Sequence, residues 1–456
     1  MPQIASGKTP QAHNAGEGEP STGDVTVTAP SRRRVLFSGL AVAAAAPLAG
    51  CTSVTAEDEA SGQASGAALR ASNDRLATSS AQALYTLPQD HKWHGGPFYD
   101  TGELEEWHYW TGYVTDKDTG EEFGLFYNLF HEGVSPGKYQ YRPYFSLGNL
   151  KTHDFVWSAN TLTSPLTATA PPQSTSPDDF QYSTSQNGTT FTTVYRASPD
   201  TWNLHFKSQA KNVNQPITMD LETKTQSSYG YTPMTPFGVE NENAPWQGKA
   251  DPQTMRSLSY YYGAPKQNVT GTVTIGNQTR HLTGSLWMEH QWGNFLVSKQ
   301  PWGTAYVWSA IQFNDGSIFT FRQWYDQQNK PLLNIGRYMH ATPNANPEYG
   351  FGEAVQWVPL QTWKSTASGR NYPVYARLST PYGTWYYTPI FESYEMPTGY
   401  KPYGTNGITL YEGASWIRKD SLNGPIIGKA FLELPNSLTK NFPELSSQQP
   451  TPSGSS

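Results

Sequence analysis

Only one cysteine, Cys51, occurs among the 456 residues. The chain beyond it therefore carries no internal disulfide, no thiolate zinc cluster and no cysteine nucleophile, and its stability has to come from its core. Charge is sparse as well: acidic and basic residues make up 15% of the chain, and the net charge is -6. The absence of a basic stripe argues against a nucleic-acid partner. No Gly-x-Ser-x-Gly elbow and no Gly-x-x-x-x-Gly-Lys-Ser/Thr loop is present, which removes the usual signs of a serine hydrolase of the α/β type and of a phosphate-cradling site. No apolar run reaches the roughly 20 residues needed to span a bilayer as a helix. Methionine is scarce at 7 residues, but there are 28 Tyr, 15 Trp, 40 Gly and 35 Pro. That mixture favours strands and turns over helices.

The N-terminal stretch reads as an export signal. Ser31-Arg-Arg-Arg-Val-Leu-Phe is followed by the apolar run Leu40 to Leu48 and by Leu48-Ala-Gly-Cys51. The paired arginines resemble a bacterial twin-arginine signal, and Leu-Ala-Gly-Cys resembles a lipobox whose cysteine is lipidated after cleavage. Residues 1–51 are thus expected to be a signal peptide. Residues 52–84, rich in Ala, Ser, Gly and Thr, are expected to be a flexible tether to the outer face of the membrane, anchored through Cys51.

From about Tyr85 the chain alternates aromatic and β-branched runs with turn clusters such as Asp116-Lys-Asp-Thr-Gly120 and Asn314-Asp-Gly316. The Thr/Ser/Pro-rich residues 159–190 read as a long connection or an irregular edge, and residues 441–456 as a disordered tail. Trp110-Thr-Gly-Tyr-Val with Phe123 to Phe130 is echoed by Trp308-Ser-Ala-Ile-Gln-Phe with Ile318 to Trp324. Two hairpins of similar chemistry, half the mature chain apart, point to two related β domains. Each would be a barrel or sandwich, placed at 85–265 and 266–440.

The chemistry concentrates in Gly284-Ser-Leu-Trp-Met-Glu-His-Gln-Trp-Gly293. As a strand, this stretch puts Trp287, Glu289 and Gln291 on one face and Met288, His290 and Trp292 on the other. A plain structural reading is a buried strand whose Glu289 pairs with an arginine. The functional reading is an acid among indoles: desolvation keeps it protonated near neutrality, so that it protonates an isoprenoid double bond while aromatic faces hold the carbocation. Four histidines, His91, His94, His108 and His131, lie close to Glu103-Leu-Glu-Glu106. His91 and His94 with Glu106 or His108 offer zinc-type donors, but their spacing matches no recognised zinc signature, and neither a metal nor another cofactor is assigned.

The same stretch resembles the Trp-x-Asp-His-Glu/Gln-Trp-Gly signature of the hydroxyneurosporene synthase (carotenoid 1,2-hydratase) and AttH-like family, which includes the fungal kievitone hydratases. Glu106-Trp-His-Tyr-Trp-Thr-Gly112, Ser259-Tyr-Tyr-Tyr262, Leu410-Tyr-Glu-Gly413 and Phe431-Leu-Glu433 resemble further segments of that family. The resemblance implies an all-β fold of two lipocalin-like domains and cofactor-independent addition of water to a double bond of a hydrophobic, isoprenoid or prenylated small molecule. It places the acid at Glu289, where Glu stands for the more usual Asp; Trp287, His290 and Trp292 are read as its surroundings, and Glu106 and His108 either orient water or substrate from the first domain or bond across a domain interface. His108 stands where the family has Trp, and His131 near where many members have Arg. A non-catalytic binder of hydrophobes and a cyclase of the same fold remain the alternatives.

Overall fold

The computed structural model describes residues 83–95, 104–240, 259–293, 306–325, 331–342, 345–351, 354–399 and 409–435. The signal peptide, nearly all of the tether and the C-terminal tail lie outside the described residues, as does Cys51. The described chain is all-β apart from one short 3₁₀ turn, Gln89–His91, and none of its helices is long and apolar enough to cross a membrane.

Two antiparallel sheets account for the strands, as the aromatic, turn-punctuated sequence predicts. The first has 13 strands. Its main path runs from Phe155–Ala159 through Lys138–Asn149, Glu122–Ser135 and Glu105–Asp116 to Gln278–Gly293 and Ser259–Ile275. From there it continues through Pro216–Thr225, Thr201–Gln209, Thr189–Arg196 and Phe180–Gln186 to the short edge strand Thr167–Thr169. The Thr/Ser/Pro-rich region is thus an edge of this sheet. The second sheet has 10 strands, with Pro331–Met339, Ile318–Tyr325, Tyr306–Phe313, Ile426–Pro435, Thr409–Lys419 and Gly383–Pro389 in consecutive places. Each sheet follows one rule: its first long strand pairs with its second on one side and with its last on the other. The two echoing hairpins occupy equivalent places in the two sheets, so the fold is the expected pair of lipocalin-like β domains.

The change of sheet falls between Gly293 and Tyr306, not at 265–266. Residues 266–293 belong to the first sheet because Gln278–Gly293 returns to close against Glu105–Asp116, with Glu106 opposite Trp292 and Tyr109 opposite Glu289. A return over that sequence distance leaves no local mark at the point where one half ends.

Strand alternation then divides the core in two. Trp110, Tyr262, Met288 and Trp292 point into the interior of the first half, with Trp202, Phe206 and Leu221. Trp107, Tyr109, Tyr261 and Trp287 point the other way and join the second half's Trp308, Phe321, Tyr411 and Phe431 in a second core that packs the sheets together. Tyr113 donates to the Ala430 carbonyl at 2.7 Å and Arg337 to the Thr232 carbonyl at 2.9 Å across the same contact.

Gly284 opens the motif for a steric reason. A Cβ there would sit 2.2 Å from the Tyr113 carbonyl oxygen and 2.8 Å from the Val114 Cα, both backbone atoms of the paired strand. Relief requires the strands themselves to move, so Gly284→Ala is expected to lower unfolding free energy by about 3 kcal/mol, the upper range for overpacking. A urea titration that leaves the midpoint unchanged would contradict this close approach.

Candidate active site

The motif strand presents two buried acid sites, one on each face. On the face toward the second sheet, Glu289 is 2% exposed. Tyr261 Oη donates to its Oε2 at 2.5 Å, Trp287 Nε1 to the same oxygen at 3.0 Å, and Trp107 Nε1 to Oε1 at 3.4 Å. Trp308 Nε1 donates to Tyr261 Oη at 2.8 Å, which orients the phenol that holds the acid. Trp287 and Trp308 meet edge to face at 6.0 Å between centroids. Glu289 is therefore held by two indoles and a phenol, with the Trp308 indole packed behind Tyr261 and Trp287.

The expected arginine partner is only a neighbour. Arg322 sits over the Tyr261 ring at 5.5 Å, but its Nη1 donates to Glu240 at 2.7 Å and to Gln291 Oε1 at 3.0 Å. Burial pushes the Glu289 carboxyl up. The Tyr261 hydrogen bond, the Arg322 charge and the Trp287 hydrogen bond oppose that rise in part, and nearby Glu433 adds to it, leaving the pKa at about 7. Two more carboxyls face this site. Glu412 and Glu433 are register partners on neighbouring strands of the second sheet, and Tyr109 donates to Glu412 Oε2 at 3.0 Å while Tyr306 donates to Glu433. Burial raises both, and their mutual repulsion raises Glu412 further.

A carboxyl moved from 4.5 to about 7 on folding favours the fold only while protonated: that contribution is complete below about 4.5 and lost as pH rises through about 7. The shift corresponds to an order of 3 kcal/mol between the two limits. Glu289→Gln never ionises and keeps an oxygen for Tyr261 and Trp287. Its urea midpoint is expected to fall less than the wild type's between about pH 5 and about pH 8; parallel pH dependences would contradict the raised acid.

On the opposite face, Glu106 is fully buried and meets three imidazoles. His290 Nε2 lies 2.7 Å and His94 Nδ1 2.8 Å from its Oε1, and His131 Nδ1 lies 3.1 Å from its Oε2, which also accepts the His94 backbone N–H at 2.9 Å. Burial alone would push Glu106 up, but the His94 charge and the hydrogen bonds from His131, His290 and His94 hold it well below the usual carboxylate range. For His94, burial works against the charged form, yet Glu106 and Asp90 raise it to about 9. Trp292 stacks on His94 at 4.3 Å and on His290 at 4.6 Å. His108 stacks on His290 at 4.0 Å, but its ring nitrogens are taken: Nδ1 accepts from Trp93 Nε1 at 2.7 Å, so Nε2 carries the proton given to the His91 carbonyl at 2.9 Å. Burial pushes both His91 and His108 well down, so both are neutral.

The six candidates from the sequence thus separate. Glu289 and Trp287 share one site; Glu106, His108, His290 and Trp292 share the other, with the motif strand between them. His290 and Trp292 do not surround Glu289, because adjacent strand residues face opposite ways. Nor do His91 and His108 meet Glu106 as donors; His94, His131 and His290 do. Trp107, Tyr261, Glu412 and Glu433 lay inside the family-like segments without a role, and Trp308 and Arg322 inside the echoing hairpin without one, while Glu240 carried no signal in the sequence beyond its residue type.

A family model described as AttH-like matches residues 78–437. Among solved structures, the fold is similar to that of an AttH protein from Nitrosomonas europaea, at 17% identity and a TM-score of 0.59, covering 79% of this chain and 99% of that one. It is also similar to kievitone hydratase from Nectria haematococca, at 15% identity and a TM-score of 0.52, covering 80% of this chain and 98% of that one. A search of curated proteins finds no match.

Proposed function

Because this chain belongs to the AttH-like family, we propose that it is a hydratase that adds water to a carbon–carbon double bond of an isoprenoid or prenylated small molecule, exported and held at the membrane by a lipid on Cys51. The observation that carries the reading is Glu289, a buried carboxyl with a pKa of about 7, held by Trp107, Trp287 and Tyr261, with Trp308 orienting Tyr261. Protonated Glu289 gives its proton to the less substituted alkene carbon, and the π electrons form the new C–H bond. The other carbon becomes a tertiary cation, which the indole and phenol faces stabilise through their quadrupoles. Water adds its oxygen lone pair to that carbon, and the resulting oxonium returns a proton to the Glu289 carboxylate. The net change is one water added and the acid regenerated. Likeness to kievitone hydratase supports a hydratase-type reaction at the level of fold.

The test is incubation of purified protein with prenylated candidates in heavy-oxygen water, comparing wild type with Glu289→Gln. Label in the product that disappears with the variant is the expected result. Oxygen incorporation that survives the variant would overturn the assignment of Glu289. An isomeric product without label indicates cyclisation, and binding without turnover by either form indicates a carrier.

A further inference from the structure

The Glu106 site has more basic donors than one carboxylate needs. A single buried negative charge is balanced by one protonated imidazole, yet three histidines from three separate stretches aim a ring nitrogen at it: His94 before the first strand, His131 directly across the Glu105–Asp116/Glu122–Ser135 pair, and His290 on the motif strand. The donor atoms of His94, Glu106 and His290 all lie within 4.8 Å of one another, close enough to meet at one ion. The rings are also fixed from behind. His94 Nε2 faces Asp90 Oδ1 at 3.4 Å, and His290 Nδ1 faces Tyr262 Oη at 3.0 Å, with Tyr262 in turn 2.5 Å from His91 Nδ1. A carboxylate or hydroxyl behind each imidazole is the arrangement that orients metal-ligating histidines and makes them better donors.

We propose that this cluster binds one divalent transition-metal ion of the zinc type through His94, Glu106 and His290. Imidazoles with a carboxylate and no thiolate suit zinc and its borderline neighbours, whereas an all-oxygen set would suit magnesium or calcium. Three protein ligands leave a fourth position for water, and His131 holds the other oxygen of the ligating Glu106 at 3.1 Å. The ion fastens the segment carrying His94 to two neighbouring strands of the first sheet, and it does so on the face of the motif strand opposite Glu289. The hydrogen bonds close consistently when the ion takes the His290 Nε2 lone pair. His290 Nδ1–H then donates to Tyr262, whose hydroxyl donates to His91 Nδ1. The inference is independent of the hydratase reading.

The test uses the full chain, stripped with a chelator and titrated with Co²⁺ and then Zn²⁺. One equivalent of cobalt is expected to produce the intense visible d–d bands of a tetrahedral site, lost on adding zinc. Glu106→Gln should abolish the bands. Asp90→Asn, at a partly exposed position and keeping an oxygen for the Thr86 N–H, should weaken affinity about 10–100-fold, the usual effect of losing a partner behind a ligand. The proposal is overturned if folded wild-type protein gives no stoichiometric band, or if bound cobalt is indifferent to both substitutions.

Discussion

Glu289→Gln is expected to lower turnover by about 10²–10⁴-fold, the range for removing a positioned general acid, with little change in substrate binding. Gln keeps the volume and an acceptor for Tyr261 and Trp287, so the aromatic lining survives, but it has no proton to give at any accessible pH. The wild-type rate should follow the protonated fraction of Glu289. It is expected to be level on the acid side and to fall about tenfold per pH unit above about 7, since a carboxyl with that pKa is mostly ionised there. Glu289→Asp retains an acid but withdraws it by one methylene, and should keep a measurable fraction of activity with the same alkaline limb. A limb that stays in place when Glu289 is replaced would assign the titration to another group. Tyr261→Phe gives a third reading. It removes a donor to the ionised form, so the limb should move to higher pH.

The second large effect concerns Arg322, whose guanidinium is almost wholly buried against Glu240. It also lies over the rings of Tyr261, Tyr306 and Trp324, at 5.5, 4.9 and 4.9 Å from their centroids. Arg322→Met leaves Glu240 charged and buried without its cation, a change that typically destabilises by about 3–5 kcal/mol. It also withdraws one of the influences that keep Glu289 from rising further. The expected outcome is therefore double: a large drop in the urea midpoint, and an alkaline limb of turnover displaced upward in the protein that remains folded. Adding Glu240→Leu should recover much of the lost stability, because replacing both members of a buried pair by apolar groups is close to neutral. It should leave the displaced limb where Arg322→Met put it. Recovery of the limb as well would mean that Arg322 does not act on Glu289 through its charge, and no recovery of stability would mean that the stranded Glu240 is not what destabilises Arg322→Met.

The sequence carried the local half of this arrangement. Alternation along Gly284–Gly293 is enough by itself to send Glu289 and His290 to opposite faces, and the turn clusters at Asp116–Gly120 and Asn314–Gly316 mark real hairpins. What it could not carry is register between distant strands. Glu106 and His290 are 184 positions apart, and only the pairing of His108 with His290 brings them within hydrogen-bond reach. For the same reason the resemblance gathered His290 and Trp292 around Glu289: neighbours in a motif are read as neighbours in space, although a strand sends them to opposite sides. Arg322 and Glu240 stand alone in their segments, and no spacing rule joins residues that meet only across two sheets.

The rule by which each half closes first strand on last sets an order of events for the nascent chain. Glu105–Asp116 emerges early and pairs at once with Glu122–Ser135, but lacks its second partner until Gln278–Gly293 has been made, and Tyr109 meets Glu412 only across a further span, 303 positions from itself. Closing such long loops is entropically slow, so folding of this chain should be governed by late, non-local docking. The Glu106 cluster completes with the first half, whereas the Glu289 environment completes only when the second half docks. Any fragment that stops before residue 306 would display Trp107, Tyr109, Tyr261 and Trp287 to water as a sticky aromatic face. An intact chain, with both halves complete, is the form in which this acid comes to be enclosed.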